Sequence, residues 1–443
     1  MKITLAKTSP LLQPNFVFGV ATSSFQIEGA ADSREPCIWD TFCDTPGRIK
    51  DNSDGKVACD HVARWRDDIE LIAGLGVDAY RFSIAWGRVI NRDGSINEAG
   101  LAFYQQLLDA LQAKKIKAFV TLYHWDLPQY LEDHGGWLNR NTAYKFAEYT
   151  DIVTKAFGDK VYSYATLNEP FCSAYLSYEA GIHAPGFQNR QQGRQAAHHL
   201  LLAHGLAMRV LRKNAPHAKN GIVLNFSPCH PASNSAADVR AAEMADQYHN
   251  QWYLQPLLEG SYPPLLAELA TDEQPLRVDG DMAIIAEPID FLGVNYYTRT
   301  VYRANEKGWF SDVPPTTPPL TDMGWEIYPK GLTEILLALH QRYTLPPIYI
   351  TENGAAMPDS LLQDKVADQH RVDYFQQHLQ ATENAIKAGV DIQGYFAWSL
   401  MDNFEWAEGY AKRFGIVYVD YVTQQRTLKN SAIALRDVFA NRR

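Results

Sequence analysis

Two glutamates stand at the ends of short segments that have the composition of β-strands. Glu352 ends an apolar, β-branched run within residues 347–354, beside an Asn-Gly pair that we expect to form a turn. Glu169 ends a second run, residues 162–170, and because a proline follows it we expect an extended rather than helical backbone there. Double-displacement glycoside hydrolysis needs such a carboxyl pair, with one group as nucleophile and the other as proton donor.

The single run at residues 347–354 does not define a site by itself. Side chains alternate along a strand, so Ile348, Ile350 and Glu352 are expected on one face, with two apolar layers beneath one charged group. An acidic residue beside Asn-Gly is also ordinary loop chemistry. The second glutamate is what favours a catalytic pair.

Composition narrows the class of ligand. The chain of 443 residues has a net charge of −10 and no long basic run, which argues against nucleic acid or an anionic membrane surface as the partner. Aromatic residues make up 12% of the chain, including 10 Trp and 24 Tyr, and the flat faces of such rings suit carbohydrates. A sugar is therefore the favoured ligand.

The cysteines and the apolar runs bear on the compartment. The five cysteines are odd in number and scattered without metal-ligand spacing, so we interpret them as reduced thiols in a cytoplasmic protein. The first residues lack a sustained apolar core, and no run approaches the roughly 18 apolar residues of a membrane span. The sequence predicts neither export, nor a membrane anchor, nor a metal site.

Short apolar segments alternate along the chain with amphipathic ones. The strand-like segments are residues 16–23, 77–86, 117–126, 162–170, 221–228, 290–298, 347–353 and 392–400. Between them, apolar residues recur at spacings of three or four, as in the helix predicted from Val62 to a glycine stop at Gly76. Repeated β-then-α units imply parallel strands with right-handed crossovers. We therefore predict the α/β class, with one (β/α)₈ TIM barrel over residues 1–443.

An open doubly wound sheet is the alternative topology. It is disfavoured because no Gly-rich dinucleotide turn follows the first strand and because the strand count favours closure. A minimal barrel needs about 250 residues, so the surplus must lie in loops and added elements. Polar or Pro-rich insertions occur at residues 44–56, 181–194, 233–238 and 304–322. If they follow strands, they wall in a deep pocket at the C-terminal rim.

Several short motifs, present together and in order, give the chain a resemblance to a known family. They are FGVATSSFQIEGA at 18–30, YRFS at 80–83, TLNEP at 166–170, NYYT at 295–298, ITENG at 350–354 and the segment 398–406. Over nearly its whole length the chain resembles the β-glucosidases of glycoside hydrolase family 1. The resemblance implies a (β/α)₈ barrel, hydrolysis of terminal β-linked sugars with retention at the anomeric carbon, and no cofactor.

The resemblance also implies roles for four residues. Glu352 would be the nucleophile and Glu169 the acid/base, with their carboxyl groups about 5–5.5 Å apart. Glu352 must then be ionised while Glu169 is protonated, so their environments must separate the two pKa values. Arg81 is similar to the arginine that hydrogen-bonds the nucleophile and keeps it ionised, and Tyr297 to the tyrosine that also contacts it.

A further set of residues is implied around the sugar, with polar members for its hydroxyl groups and aromatic members as flat platforms. The set consists of Gln26, His124, Trp125, Asn168, Asn295, Trp325, Trp398, Glu405, Trp406 and Phe414. Trp398 would lie beneath the sugar, Trp325 would wall the leaving-group side, and Asn168 would reach the 2-hydroxyl. Without the motifs, such residues could equally be core or turn-capping residues. The implied partners are β-glucosides and β-linked oligosaccharides such as cellobiose.

Departures from the family pattern lie close to the expected site. Residues 84–87 are Ile-Ala-Trp-Gly instead of the commoner Ile-Ser-Trp-Pro, and Phe171 stands where a tryptophan often follows the acid/base. These changes leave the leaving-group preference open. Cys172, three residues beyond Glu169, is interpreted as a buried, inert thiol and not as a nucleophile.

Other functions on the same fold remain open. Relatives that hydrolyse 6-phospho-β-glucosides place a serine near Glu405 and continue to a lysine and a tyrosine, where this chain has Lys412 and Phe414. A barrel that only binds sugar would have lost a catalytic glutamate. A transglycosylase differs only in whether water or an alcohol accepts the glycosyl group.

Overall fold

The computed structural model describes residues 2–442 and has a closed barrel of eight parallel strands at its centre. The strands are β1 Val17–Ala21, β2 Ala79–Ser83, β3 Lys117–Tyr123, β4 Ser163–Asn168, β5 Lys219–Asn225, β6 Phe291–Asn295, β7 Ile348–Asn353 and β8 Ile392–Trp398. Each pairs with the next along the chain, and β8 closes onto β1. The predicted (β/α)₈ barrel is confirmed, and every predicted strand segment contains or overlaps one of these strands.

A long helix follows each strand and covers the outside of the barrel. These helices are α1 His61–Gly74, α2 Glu98–Ala113, α3 Asn141–Phe157, α4 Arg190–Asn214, α5 Ala236–Asp246, α6 Pro329–Arg342, α7 Gln369–Lys387 and α8 Asn430–Ala440. The predicted glycine stop is present, because α1 ends at Gly74 and Gly76 has a φ of +69°. Across residues 2–442, none of the helices combines the length and apolar character needed to cross a membrane.

Shorter elements occupy the connections. The short helices are Ser24–Ile27, Ile38–Cys43, Trp86–Val89, Gln129–Glu132, the π-helical Cys172–Glu179, the π-helical Gln247–Gln251, Trp252–Glu259 and Asp281–Ile285. The 3₁₀ turns are Pro10–Leu12, Ala31–Ser33, Gly136–Leu138, Pro264–Glu268, Thr271–Glu273 and Trp406–Glu408. The small strands are Cys229–Pro231, Thr300–Ala304, Phe310–Val313, Leu361–Leu362, Lys365–Val366, Val417–Val419 and Arg426–Leu428.

The predicted insertions follow β1, β4, β5 and β6, on the side of the barrel where those strands end. The last residues of the insertion at 181–194 are helical, because α4 begins at Arg190. The side chain of Asn189 caps this helix by accepting a hydrogen bond from the backbone N–H of Gln192. Helix α5 likewise begins inside the insertion at 233–238, at Ala236.

Side chains that point into the barrel form an apolar cluster separate from the one between strands and helices. The interior cluster includes Val17, Ala79, Phe119, Ala165, Val223, Phe291, Tyr349 and Phe396. Ile348 and Ile350 belong instead to the outer cluster. The prediction that they share a face with Glu352 is therefore wrong. The pairing of β7 with both neighbours shifts between Ile350 and the end of the strand, which breaks the alternation before Glu352.

Candidate active site

Both glutamates lie buried at the C-terminal rim of the barrel. Glu352 lies within the last residues of β7 and is 3% exposed, and Glu169 directly follows β4 and is 5% exposed. The expectation of an extended backbone at Glu169 is wrong, because its φ is +47°, in the left-handed region. Such a conformation costs a non-glycine residue on the order of 1–3 kcal/mol and persists only where the surroundings hold it. Here the Glu169 N–H donates to the carbonyl of Val223 on β5, at 2.9 Å.

Two donors hold the carboxylate of Glu352. Arg81 Nη1 donates to Oε1 at 2.7 Å, and the hydroxyl of Tyr297 donates to Oε2 at 2.6 Å. Arg81 is 2% exposed, so this ion pair is almost fully removed from water. These two contacts pair the carboxylate with a buried cation and fix its direction.

The two carboxyl groups belong to one hydrogen-bonded network. Arg81 Nη2 donates to Asn168 Oδ1 at 2.6 Å, and Asn295 Nδ2 donates to the same oxygen at 3.1 Å. Asn295 Nδ2 also lies 2.5 Å from Glu169 Oε1, while Thr351 Oγ1 donates to Asn295 Oδ1 at 2.7 Å. Side chains from β2, β4, β6 and β7 thus fix the glutamates relative to each other.

The environment of Glu169 differs from that of Glu352. Burial, followed by the neighbouring negative charge of Glu352, raises the pKa of Glu169 to about 7. The amide of Asn295 and the charge of Arg81 act in the opposite direction with smaller effect. Glu169 therefore retains its proton close to neutral pH, beside a carboxylate that is paired with an arginine.

Gln26 and Glu405 form a polar pair in the same pocket. Gln26 Nε2 donates to the backbone carbonyl of Phe404 at 2.9 Å and to Glu405 Oε2 at 3.3 Å. Burial, and then the charge of Glu352, raises the pKa of Glu405 to about 8. Together with Glu169 and Glu352, Glu405 makes a cluster of three carboxyl groups.

An aromatic group surrounds His124. The imidazole is nearly parallel to Trp398 (centroids 5.9 Å, 16°) and to Trp406 (6.0 Å, 18°), and Trp125 lies 4.6 Å from Trp406. Trp125 Nε1 donates to the carbonyl of Asn168 at 2.8 Å, which joins this group to the carboxyl network. Burial, followed by the charge of Arg81, lowers the pKa of His124 well below its usual value, so the ring is neutral and its Nε2 can accept from Asn168 Nδ2 at 3.1 Å.

A second aromatic group contains Tyr297, Trp325 and Phe414. Trp325 lies 5.5 Å from Tyr297 and 6.1 Å from Phe414, measured between ring centroids. With this group, every residue of the expected site has been placed at the rim. The structure brings together side chains that lie on, or directly after, every barrel strand except β5.

Sequence reasoning missed two neighbours of the site and one contact within it. Trp39 lies 4.6 Å from Trp406, and His183 lies 5.4 Å from Trp125, so loops after β1 and β4 extend the aromatic wall. Cys172 is buried, as predicted, but its Sγ lies 3.0 Å from Glu169 Oε2. Only the insertions at residues 44–56 and 181–194 hinted at added walls, and nothing in the sequence pointed to the thiol contact.

A closed (β/α)₈ barrel with two buried glutamates and aromatic walls at its C-terminal rim is the arrangement of a barrel glycosidase. Comparison with known proteins leads to the same class. Residues 9–443 match the family described as Glycosyl hydrolase family 1. The chain belongs to this family.

Similar proteins cover nearly the whole chain. A beta-glucosidase of Agrobacterium sp. (strain ATCC 21400) is 46% identical over 426 residues, which is 94% of this chain and 93% of that one. A bifunctional beta-D-glucosidase/beta-D-fucosidase of Bifidobacterium breve is 45% identical and covers 94% and 95%. The solved structure of a beta-glucosidase from Thermotoga maritima in complex with glucoimidazole has a TM-score of 0.95 at 45% identity, covering 99% of this chain and 100% of that one.

Proposed function

We propose that this protein is a retaining, exo-acting β-glucosidase that hydrolyses terminal non-reducing β-D-glucosyl residues. The observation that carries the proposal is the asymmetry within one hydrogen-bonded network. Glu352 is paired with the Arg81 guanidinium, while burial keeps Glu169 protonated near neutral pH. One carboxylate poised to attack and one carboxylic acid poised to donate are the two groups that double displacement requires.

The roles follow from these environments. In the first step Glu352 attacks the anomeric carbon and Glu169 gives its proton to the leaving oxygen, which forms a covalent glycosyl-enzyme. Glycosylation removes the charge of Glu352, which is one of the causes that raise the pKa of Glu169. Glu169 is then a carboxylate that takes a proton from water in the second step, as microscopic reversibility demands.

The residues around the carboxyl pair suit a pyranose. Gln26, Asn168 and Glu405 offer donors and acceptors for ring hydroxyls, and Trp398 with Trp406 offers flat apolar faces. Trp325 is the candidate wall for the leaving group. Because relatives are named as glucosidases and one also as a fucosidase, we propose β-glucosides as substrates, with β-fucosides and cellobiose among them.

The phosphate-specific alternative is disfavoured by three side chains. Glu405, once ionised by hydrogen bonds from sugar hydroxyls, would repel a 6-phosphate, which carries about −1.5 to −2 charges. The ammonium of Lys412 already donates to the carbonyl of Asp322 at 2.6 Å. Phe414 has no hydroxyl and packs with Trp325 in an apolar group. Both glutamates are present, so a silent sugar-binding barrel has no support.

Initial rates on a substrate panel test the proposal. We expect kcat/KM for p-nitrophenyl β-glucoside to exceed that for its 6-phosphate by roughly 100-fold or more, since a charge-assisted contact to Glu405 is worth about 1.5–3 kcal/mol and the phosphate adds repulsion. Cellobiose should also be hydrolysed. Glu405→Ser should weaken the neutral substrate and relieve exclusion of the phosphorylated one. Comparable values for both substrates would favour the phospho-glucosidase, and no turnover on any would favour a binding protein.

We also propose that the protein works in the cytoplasm. The support is that all five cysteines are free thiols, as suits a reducing compartment. Fractionation of cells that make the protein should recover the activity with cytoplasmic enzymes. Activity recovered mainly outside the cytoplasm would contradict this location.

A further inference from the structure

The thiol of Cys172 touches the carboxyl group proposed as acid/base. Cys172 begins the π-helical segment Cys172–Glu179, which follows Glu169 after two residues. Its Sγ lies 3.0 Å from Glu169 Oε2, and Asn295 Nδ2 approaches Oε1. Among residues 2–442, these are the two side chains that donate hydrogen bonds to Glu169.

The thiol stays protonated and can act as a donor. Cys172 is 6% exposed, and burial, followed by the charge of Glu169, raises the pKa of its thiol well above the usual value. A thiolate is therefore not formed beside Glu169, which excludes a role for Cys172 as nucleophile. What remains is an S–H group aimed at one carboxylate oxygen.

We propose that Cys172 is a positioning residue for the reaction: its thiol donates a hydrogen bond to Glu169 Oε2 and so favours the ionised glutamate that acts as base in the second step. This inference rests on the proposed function of Glu169. With this contact, each oxygen of the Glu169 carboxyl group accepts one hydrogen bond, Oε2 from Cys172 and Oε1 from Asn295. The two hydrogen bonds fix the plane of the carboxyl group while the leaving group departs.

The thiol opposes the influences that keep Glu169 protonated. The ionisable groups that act on this carboxyl group are Arg81, Cys172, Tyr297, Glu352 and Glu405. Burial and Glu352 favour the protonated form, whereas Arg81 and the two hydrogen-bond donors favour the ionised form. Without the thiol, Glu169 would hold its proton more tightly. Glu169 would then stay protonated, and able to act as the acid, up to a higher pH.

The pH dependence of kcat/KM tests this inference, because a merely structural role would lower the rate at all pH values alike. With p-nitrophenyl β-glucoside, Cys172→Ala should move the basic limb to higher pH by about 0.5–1 unit, the size expected for one lost hydrogen bond. Cys172→Ser, which keeps a donor, should leave the limb close to that of the unmodified protein. Cys43→Ala, in a half-buried cysteine that contacts neither glutamate, should not move it.

Two results separate this inference from the proposed function. An unmoved basic limb in folded Cys172→Ala overturns the inference. Glu169→Gln tests the acid itself, since it should remove the basic limb, and a limb that persists there overturns the role of Glu169 instead. If Cys172→Ala does not fold, Cys172→Val supplies a donor-free variant of larger volume, for which the same shift is expected.

Discussion

The carboxyl group of Glu405 is costly to ionise in its own protein environment. Burial and the charge of Glu352 raise its pKa to about 8, against a usual value of 4.5, and Gln26 offers one long hydrogen bond of 3.3 Å. Sugar hydroxyls that donate to Glu405 would favour the ionised form. The residue therefore suits ligand binding at the expense of fold stability.

Glu405→Gln should raise the free energy of unfolding, and the gain should grow with pH. The unfolded chain ionises Glu405 above about pH 4.5, whereas the folded protein keeps the proton until about pH 8, so stability present below 4.5 is lost as the pH rises between these values. Between pH 5 and pH 7.5 the gain should increase by on the order of 2 kcal/mol, allowing for solvent access to this half-buried group.

Urea unfolding of both proteins at the two pH values measures this gain. Glu148→Gln is the matched control, because the Glu148 side chain is 62% exposed and pairs with Lys145 on the surface. The difference in the free energy of unfolding between Glu148→Gln and the unmodified protein should be nearly the same at both pH values. A pH-independent difference for Glu405→Gln would show that its carboxyl group is not strained.

At the scale of elements, the ends of β7 and β8 touch at a glycine. A Cβ on Gly354 would lie 1.6 Å from the carbonyl oxygen of Trp398. The predicted Asn-Gly turn is wrong, because Asn353 still belongs to β7 and the chain forms neither a turn nor a bend at Gly354. Asn353 instead completes β7, where its Nδ2 donates to the carbonyl of Tyr296 at 2.7 Å. Because Gly354 has no side chain, the ends of the two strands that carry Glu352 and Trp398 can lie this close together.

Gly354→Ala should displace one of these strand ends. Overpacking of this kind costs about 1–3 kcal/mol, and kcat/KM should fall because Glu352 and Trp398 separate from their partners. Gly74→Ala is the control: a Cβ there meets nothing within 4 Å at the end of α1, and alanine should be neutral or stabilising by up to about 1 kcal/mol. Thermal melts and kcat/KM compare the two, and equal behaviour would contradict the account of Gly354.

The elements themselves could be predicted because their patterns are local. The strands are apolar runs, and helices such as α1 repeat one apolar face. The missed features depend on contacts between distant segments. The shift in β7 before Glu352 is set by pairing with β6 and β8, and the start of α4 was hidden by its polar first turn.

At the scale of the whole molecule, barrel closure makes the site predictable. Parallel strands end at one rim, so motifs far apart in sequence converge there. The backbone conformations that orient the site side chains could not be predicted. The φ angles of Trp125, Glu169 and Trp406 are all positive, at 77°, 47° and 51°. Each depends on loops that only the folded protein brings together.

Buried ion pairs also join distant parts of the rim, and no pattern in the sequence predicted them. Lys429 at the start of α8 pairs with Asp359 after β7 at 2.5 Å and with Asp402 after β8 at 2.7 Å. Arg371 on α7 pairs with the same Asp359 at 2.8 Å. This cluster holds the segments that follow Glu352 and Trp398, and its members are unremarkable charged residues in the sequence.

In the proposed mechanism Glu352 attacks the anomeric carbon, and the stereochemistry of one product tests this role. Glu352→Ala should hydrolyse p-nitrophenyl β-glucoside at least ~10⁴-fold more slowly than the unmodified protein, because the covalent route is lost. Added azide should fill the space of the missing carboxylate and restore p-nitrophenol release. Proton NMR of that reaction should then show α-glucosyl azide, the product of one inversion. Near-normal turnover without azide, or β-glucosyl azide as the product, would contradict the assignment of Glu352 as nucleophile.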